Sequence, residues 1–174
     1  MMYFSNINDI TNTHEDAPIT FPCVVKVSCT NAGFGKSLIK SASELDDLIS
    51  ILSLGNDYYT IEPYLDVDYE VRIQRIGKYT RTFKRQSTTS WKNNWGQLKY
   101  EDTPLKSEYV HWCDECQKVF DIELFAVDVL VLKDGREVVI ETNNTANGLM
   151  WEHEEEDRTK IKEVVLEKMN QVFH

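Results

Sequence analysis

Two carboxylates and an amide come together on a predicted hairpin in the second half of the chain: Asp128, Glu141 and Asn143. The dipeptide Asp134-Gly135 between them is typical of a tight hairpin turn, because both residues tolerate positive φ. If these two residues form the loop, counting outward along the strands places Asp128 directly opposite Glu141. Asn143 then lies on the same face of the hairpin, two residues beyond Glu141.

Directly opposed carboxylates destabilise a sheet unless something offsets their repulsion. Two carboxylates and an amide oxygen form a donor set that suits a hard cation, so the pattern predicts a site for Mg²⁺, or for Ca²⁺ or Mn²⁺. The simpler interpretation is a solvated outer face, on which acidic residues are ordinary. A shift of one residue in the register would separate the two carboxylates and remove the argument.

Positive charge is concentrated just ahead of this hairpin. The 174-residue chain has a net charge of −10, yet residues 71–100 contain no Asp or Glu and carry eight Lys or Arg side chains. The net negative charge argues against nucleic acid as the principal partner. The local positive segment predicts instead a site for an anionic ligand.

A lysine and two glycines near the start of the chain have a pattern that also favours an anionic ligand. Lys26 interrupts the apolar run of residues 23–27, which is typical of a buried strand. Burying an ammonium group is costly unless it is paired, so Lys26 predicts a nearby acid or phosphate; the alternative is a lysine that protects a sheet edge. Gly33 and Gly35 follow in a loop whose N–H groups could approach phosphates, although Thr30 replaces the leading glycine of a P-loop and a plain turn is the alternative.

Hydrophobic periodicity predicts the elements that position these residues. Residues 1–20 are polar and unpatterned, which predicts a lead-in that is disordered or left over from a preceding segment. The predicted elements after it are strands 23–29 and 58–65, a helix at 43–54, a hairpin of 69–76 with 79–86, a helix at 107–120, the central hairpin 126–143 and a helix from about 152 to 173. The core face of the central hairpin is predicted to carry Val127, Val129, Val131, Val138 and Ile140, and the last helix to bury Ile161, Val164, Val165, Leu166 and Met169.

Targeting signals are missing from the sequence. No apolar run approaches the ~20 residues that a membrane-spanning helix needs. The N-terminus has neither the basic region nor the long apolar region of a secretion signal. These observations favour a cytoplasmic protein with no transmembrane segment.

An ordered set of short motifs resembles the synapsins, specifically the C-terminal ATP-binding part of that family, which has the ATP-grasp fold. Each motif alone is short, but together they follow the family's order over nearly everything from Phe21 onward. They are Phe21-Pro-Cys-Val-Val-Lys-Val, Gly33-Phe-Gly-Lys, Glu62-Pro-Tyr-Leu-Asp, Glu70-Val-Arg-Ile-Gln-Arg-Ile-Gly, Ser90-Trp-Lys-Asn-Asn, Glu152-His-Glu-Glu-Glu-Asp-Arg and Lys168-Met-Asn-Gln.

The resemblance implies an α+β ATP-grasp domain over residues 21–174. Its two sub-lobes of antiparallel sheet and helices would lie at about 21–65 and 66–174, with nucleotide in the cleft. The resemblance further implies that Lys26 contacts ATP phosphates, that the loop from Asn31 to Lys36 with Gly33 and Gly35 folds over them, and that Glu62, Tyr64 and Leu65 offer edge atoms to adenine. It places Arg72 and Lys84 on phosphates and the metal on Asp128, Glu141 and Asn143.

Three functions remain open at this stage. The first is a synapsin-like module that binds ATP and a divalent metal without a substrate of its own. The second is an ATP-dependent carboxylate–amine ligase that works through an acyl phosphate, and the third is an acidic interaction domain that binds no nucleotide. Synapsins and ATP-grasp ligases carry a preceding domain, whereas twenty residues precede Phe21 here. The resemblance therefore also implies a homo-oligomer or a partner that supplies the missing part.

Overall fold

The chain forms two compact units, Met1–Asp66 and Val67–His174. The computed structural model describes residues 1–6, 9–10, 19–28, 33–55, 57–145, 148–149 and 152–173. Each unit is built on one sheet in which all paired strands are antiparallel, and helices accompany both sheets. This architecture confirms the predicted α+β class.

The first unit contains a four-stranded sheet and a helix. Its elements are β1 (Met2–Phe4), β2 (Cys23–Val27), β3 (Lys36–Ile39), α1 (Ala42–Leu52) and β4 (Tyr59–Pro63). The strand order is β1-β4-β2-β3. Because β2 is an inner strand, Lys26 does not protect a sheet edge.

The N-terminal segment differs from the predicted polar lead-in of residues 1–20. β1 pairs with β4, and Phe4 and Ile10 are buried in the core of the first unit beside Leu45 and Tyr59. These two apolar residues follow no helical or strand period, so periodicity could not reveal their burial. Residues 11–18 of the predicted lead-in lie outside the described part of the chain.

The second unit contains a five-stranded sheet and two helices. Its elements are β5 (Val67–Ile76), β6 (Tyr79–Ser87), β7 (Leu98–Asp102), α2 (Ser107–Phe120), β8 (Leu124–Leu132), β9 (Glu137–Asn144) and α3 (Glu154–Phe173). The strand order is β7-β6-β5-β8-β9. Alternation along the strands gives the sheet two distinct faces. On one face Val71, Ile73, Phe125, Val127, Val129 and Val131 pack with Tyr109 and Cys113 of α2.

The hairpin of β8 and β9 keeps the predicted pairing of Asp128 with Glu141, although its turn is different. The N–H of Leu132 donates to the carbonyl of Arg136 at 2.9 Å, so the loop holds three residues rather than two. The pairs next to the turn are consequently offset by one residue. An irregularity between Asp128 and Val129 restores the register at the two acids.

The register offset changes which β9 side chains face the core. Val127, Val129 and Val131 are buried as predicted. Val138 instead pairs with Leu130 and is only partly buried, as is Ile140, because β9 is the edge strand of the sheet. The core prediction is therefore wrong for Val138.

Helix α3 buries fewer of its apolar side chains than the sequence pattern predicts. Asp157 is fully buried near its start, and Ile161 and Val164 are partly buried. The φ of Gly77 is +58°, and a Cβ at this position would lie 2.6 Å from Cγ2 of Val164, so the helix closely approaches the β5–β6 turn. Val165, Leu166 and Met169 are about half exposed, contrary to the prediction.

Within the described residues, neither α1, α2 nor α3 is long and apolar enough to cross a membrane.

Candidate functional site

Lys26 has a carboxylate partner on the neighbouring strand of the first unit. Its Nζ donates to Oε2 of Glu62 at 2.6 Å, and the two side chains are 26% and 23% exposed. Lys26 is opposite Thr60 in the β2–β4 register, so Glu62, two residues further along β4, shares its face. The acid that the strand pattern predicts for Lys26 is therefore Glu62.

Lys36 lies directly opposite Lys26 on β3, which places two lysine side chains on one face of the first sheet. Gly33 and Gly35 precede Lys36 with φ values of +82° and +62°, in the left-handed region that favours glycine. The carbonyl of Gly35 accepts from the N–H of Val27 at 2.8 Å, which fixes the end of the loop against β2. Asn31, the predicted start of this loop, lies outside the described residues.

The segment predicted to meet adenine follows directly from β4. The N–H of Tyr64 donates to the carbonyl of Pro22 at 3.1 Å, so that donor is already engaged within the protein. Tyr64 and Leu65 are both partly buried.

Asp128 is the centre of a buried charged cluster in the second unit. Nη1 of Arg72 donates to Oδ1 of Asp128 at 2.8 Å and to Oδ2 at 3.0 Å. Nδ2 of Asn143 donates to the same Oδ2 at 3.0 Å. Asp128 is 4% exposed and Arg72 is 8% exposed, so the pair is almost completely removed from water. Arg72 directly opposes Asp128 in the β5–β8 register.

Arg85 is a functional candidate that the sequence analysis missed. It forms an ion pair with Glu70, and its Nη2 lies 3.6 Å from Oδ2 of Asp128. Burial raises the pKa of the Glu70 carboxyl above its ordinary value, although Arg85 opposes that shift. The β5–β6 register pairs Glu70 with Arg85. Counting outward from the predicted Gly77-Lys78 turn would have revealed this pair.

Lys84 lies apart from the other predicted phosphate contacts of the second unit. It pairs with Val71, whereas Arg72 pairs with Phe83, so Lys84 and Arg72 lie on opposite faces of the sheet. Nζ of Lys84 is 4.2 Å from the ring centroid of Tyr69. The structure therefore brings Arg72 to Asp128 and leaves Lys84 on the face that packs against α2.

The three predicted metal ligands lie together. Glu141 is exposed and directly opposes Asp128, and Asn143 is partly buried and hydrogen-bonded to Asp128. These oxygen donors suit a hard divalent cation such as Mg²⁺. Arg72 is a cation within the protein that offsets the repulsion between the two carboxylates. The three side chains fit a metal ion. The carboxylate of Asp128 already accepts hydrogen bonds from the guanidinium group of Arg72.

A second buried ion pair anchors α3 beside this cluster. Arg81 of β6 pairs with Asp157, and Nε2 of Gln74 donates to Oδ2 of Asp157 at 3.0 Å. Gln74 and Arg81 oppose each other on β5 and β6, on the same face as Arg72. The start of α3 is thus fixed next to the Asp128 cluster. Asp157 lies in the acidic motif that begins at Glu152 and that carries part of the resemblance to the synapsins.

Each unit is built on an antiparallel sheet, and solved structures of the ATP-grasp class match the chain. The macrocyclase MdnC bound with precursor peptide MdnA from Microcystis aeruginosa MRC matches with a TM-score of 0.66 at 17% identity, over 94% of this chain and 54% of that one. The RimK domain protein ATP-grasp from Sphaerobacter thermophilus DSM 20745 matches with a TM-score of 0.66 at 16% identity, over 95% and 59%. The ATP-grasp ligase PsnB complexed with minimal precursor, Mg and ADP matches with a TM-score of 0.64 at 16% identity, over 94% and 52%. The chain therefore has the predicted ATP-grasp fold.

The family follows from sequence. The model of the family "Synapsin, ATP binding domain" matches residues 2–171, and the chain belongs to this family. Synapsin of Drosophila melanogaster is 36% identical over 158 residues, which are 87% of this chain and 15% of that protein. The chain thus spans a small part of this curated relative's length. The predicted membership of the synapsin family is confirmed.

Proposed function

We propose that this chain binds ATP together with a divalent metal ion. The observation that carries the proposal is the pairing of Asp128 with Glu141, with Asn143 beside them and Arg72 in direct contact. Paired carboxylates suit a metal that bridges phosphate oxygens, and arginine suits the phosphate oxygens themselves. Membership of a family of ATP-binding domains supports the nucleotide.

The metal is proposed to lie on Asp128, Glu141 and Asn143. When bound, it would neutralise charge on the phosphate oxygens and orient them. Mg²⁺ is the ion we favour, because it pairs one or two carboxylates with phosphate groups, and Ca²⁺ and Mn²⁺ accept the same oxygen donors. A structural neighbour, the ligase PsnB, was solved with Mg and ADP, which supports this choice.

Lysines of the first unit are proposed to contact phosphate. Lys26 and Lys36 share a face of the first sheet, and Gly33 and Gly35 give the loop before Lys36 a left-handed backbone conformation that favours glycine. In the second unit, Arg72 is proposed to contact phosphate. Arg85 replaces Lys84 in this proposal, because Lys84 lies on the other face. Glu62, Tyr64 and Leu65 are proposed to meet adenine through their backbone.

Calorimetric titration of the whole chain tests this proposal. We expect binding of ATP in the presence of Mg²⁺, weaker binding of ATP in EDTA, and weaker binding of AMP with Mg²⁺, because AMP lacks the β- and γ-phosphates. The EDTA arm separates the metal from the nucleotide. Absence of heat and of any thermal stabilisation with ATP and Mg²⁺ would overturn the proposal. It would favour an interaction domain that binds no nucleotide.

A further inference from the structure

Both oxygens of Asp128 already accept hydrogen bonds from protein groups. Arg72 donates to Oδ1 at 2.8 Å and to Oδ2 at 3.0 Å, and Asn143 donates to Oδ2 at 3.0 Å. Arg85 adds a second guanidinium group 3.6 Å from Oδ2. These three hydrogen bonds occupy three of the roughly four lone-pair positions of the carboxylate, so a metal ion that coordinates Asp128 either displaces one of them or binds directly beside the Arg72 guanidinium group.

The charges in the cluster neutralise a free divalent ion only in part. Three carboxylates, those of Glu70, Asp128 and Glu141, stand against the guanidinium groups of Arg72 and Arg85, which leaves one negative charge. A divalent ion would reverse that balance to one positive charge. Because Arg72 and Asp128 are both less than a tenth exposed, water and salt would screen the repulsion between the ion and Arg72 only weakly.

We propose that Arg72 makes the acidic site selective for a metal–triphosphate complex over a free metal ion. This inference rests on the proposed function and adds the physical reason why the site would bind the complex more tightly than the free ion. A triphosphate offers the Arg72 guanidinium another anionic partner, so the oxygens of Asp128 become available to the metal that the triphosphate carries. A free ion offers Arg72 no such partner.

Three variants separate the charge of Arg72 from its other contributions. Arg72→Gln removes the charge and retains a donor for Asp128, and Arg72→Lys retains the charge without the planar fork. Lys84→Gln removes the same charge from a neighbouring strand, but from the opposite face of the sheet. Circular dichroism and thermal melts establish that each variant is folded before ligand is added.

The decisive experiment is calorimetric titration of each protein with Mn²⁺ in the absence of nucleotide. We expect Arg72→Gln to bind the free ion at least about tenfold more tightly than the wild type. We expect Arg72→Lys and Lys84→Gln to bind it as weakly as the wild type. Equal Mn²⁺ affinities for Arg72→Gln and the wild type would overturn the inference, as would an equal gain in Lys84→Gln.

A measurement on the wild type keeps the inference testable if Arg72→Gln does not fold. Melting temperatures are compared with Mn²⁺ alone, with ATP in EDTA, and with Mn²⁺ and ATP together. We expect the combined shift to exceed the sum of the separate shifts. A combined shift that is present but equal to that sum would overturn the inference and leave the proposed function standing. No shift with Mn²⁺ and ATP together would overturn the proposed function itself.

Discussion

The charged residues of the two units lie in very different surroundings. In the first unit Lys26 and Glu62 form one ion pair whose side chains remain about a quarter exposed. In the second unit Arg72, Asp128, Arg81 and Asp157 are each less than a tenth exposed. Partly exposed pairs contribute little to stability, whereas a buried charge that loses its partner is strongly destabilising. The Lys26–Glu62 pair can therefore be changed with little effect on the fold, whereas the buried pairs of the second unit support its fold.

Removal of Asp157 should produce the largest effect. Asp157→Leu leaves Arg81 buried without its counter-charge and takes a hydrogen-bond acceptor from Gln74. We expect the free energy of unfolding to fall by about 3–5 kcal/mol. Urea denaturation measures this change. Glu155→Leu on the exposed side of the same helix is the control, and a similar loss in both variants would show that the buried pair is not the cause.

Truncation of Phe4 tests whether the N-terminal strand belongs to the first unit. Phe4 is 4% exposed in the core, whereas its neighbour Tyr3 is 63% exposed on the same strand. We expect Phe4→Ala to lower the free energy of unfolding by about 3 kcal/mol, and Tyr3→Ala to lower it by much less. Thermal melts followed by circular dichroism measure both variants. Equal melting temperatures for Phe4→Ala and the wild type would show that β1 contributes nothing to the core.

Alkaline pH should destabilise the second unit through Tyr109. Burial, followed by the hydrogen bond to Glu137, raises the pKa of Tyr109 from 10.0 to about 12. Between these values the unfolded chain loses the tyrosine proton while the folded chain keeps it. The contribution of Tyr109 to the free energy of unfolding therefore falls with rising pH, by up to about 1.4 kcal/mol per pH unit.

The variant Tyr109→Phe isolates this contribution. Its free energy of unfolding, measured in urea at several pH values, should fall less steeply than that of the wild type between pH 10 and 12. Parallel curves for the two proteins would show that Tyr109 keeps an ordinary pKa in the folded state.

Lys26→Met should have the smallest effect on stability and a large effect on ligand binding. The methionine keeps an apolar stem and leaves Glu62, which is partly exposed, without its cation. We expect the free energy of unfolding of the ligand-free variant to differ from that of the wild type by no more than about 1 kcal/mol, which thermal melts measure. ATP at a hundredfold excess over Kd stabilises a protein by ~2.7 kcal/mol, and the variant should lose most of that shift. A full ATP shift in Lys26→Met would remove this lysine from the proposed site.

The paired acids were predictable because the hairpin strongly limits the register. The loop has one residue more than the Asp134-Gly135 turn implies, but the irregularity after Asp128 compensates for it. The turn type and that irregularity depend on local backbone geometry, which the sequence pattern does not encode uniquely. The predicted pairing of Asp128 with Glu141 is therefore correct, although the predicted two-residue turn is wrong.

Other features depend on contacts between segments that are distant in sequence. Lys84 and Arg85 carry the same charge and are adjacent in sequence. Only the β5–β6 register shows which of the two lies on the same face as Arg72. Helix α3 has apolar residues around half its circumference, and the anchoring of Asp157 by Gln74 and Arg81 decides which of them are buried. Hydrophobic periodicity predicts that a helix has an apolar side, but it does not predict how much of that side is buried against other elements.

The most direct test of the account is the metal dependence of ATP binding in Glu141→Gln. Glu141 is exposed, so this substitution should leave the fold intact while it removes one carboxylate from the proposed metal site. Glu101→Gln, at an exposed acid on β7, is the matched control. Calorimetric titration with ATP in Mg²⁺ and in EDTA should show a strong metal dependence in the wild type and in Glu101→Gln, and little in Glu141→Gln. If ATP affinity depends on Mg²⁺ as strongly in Glu141→Gln as in the wild type, the paired acids do not hold the metal.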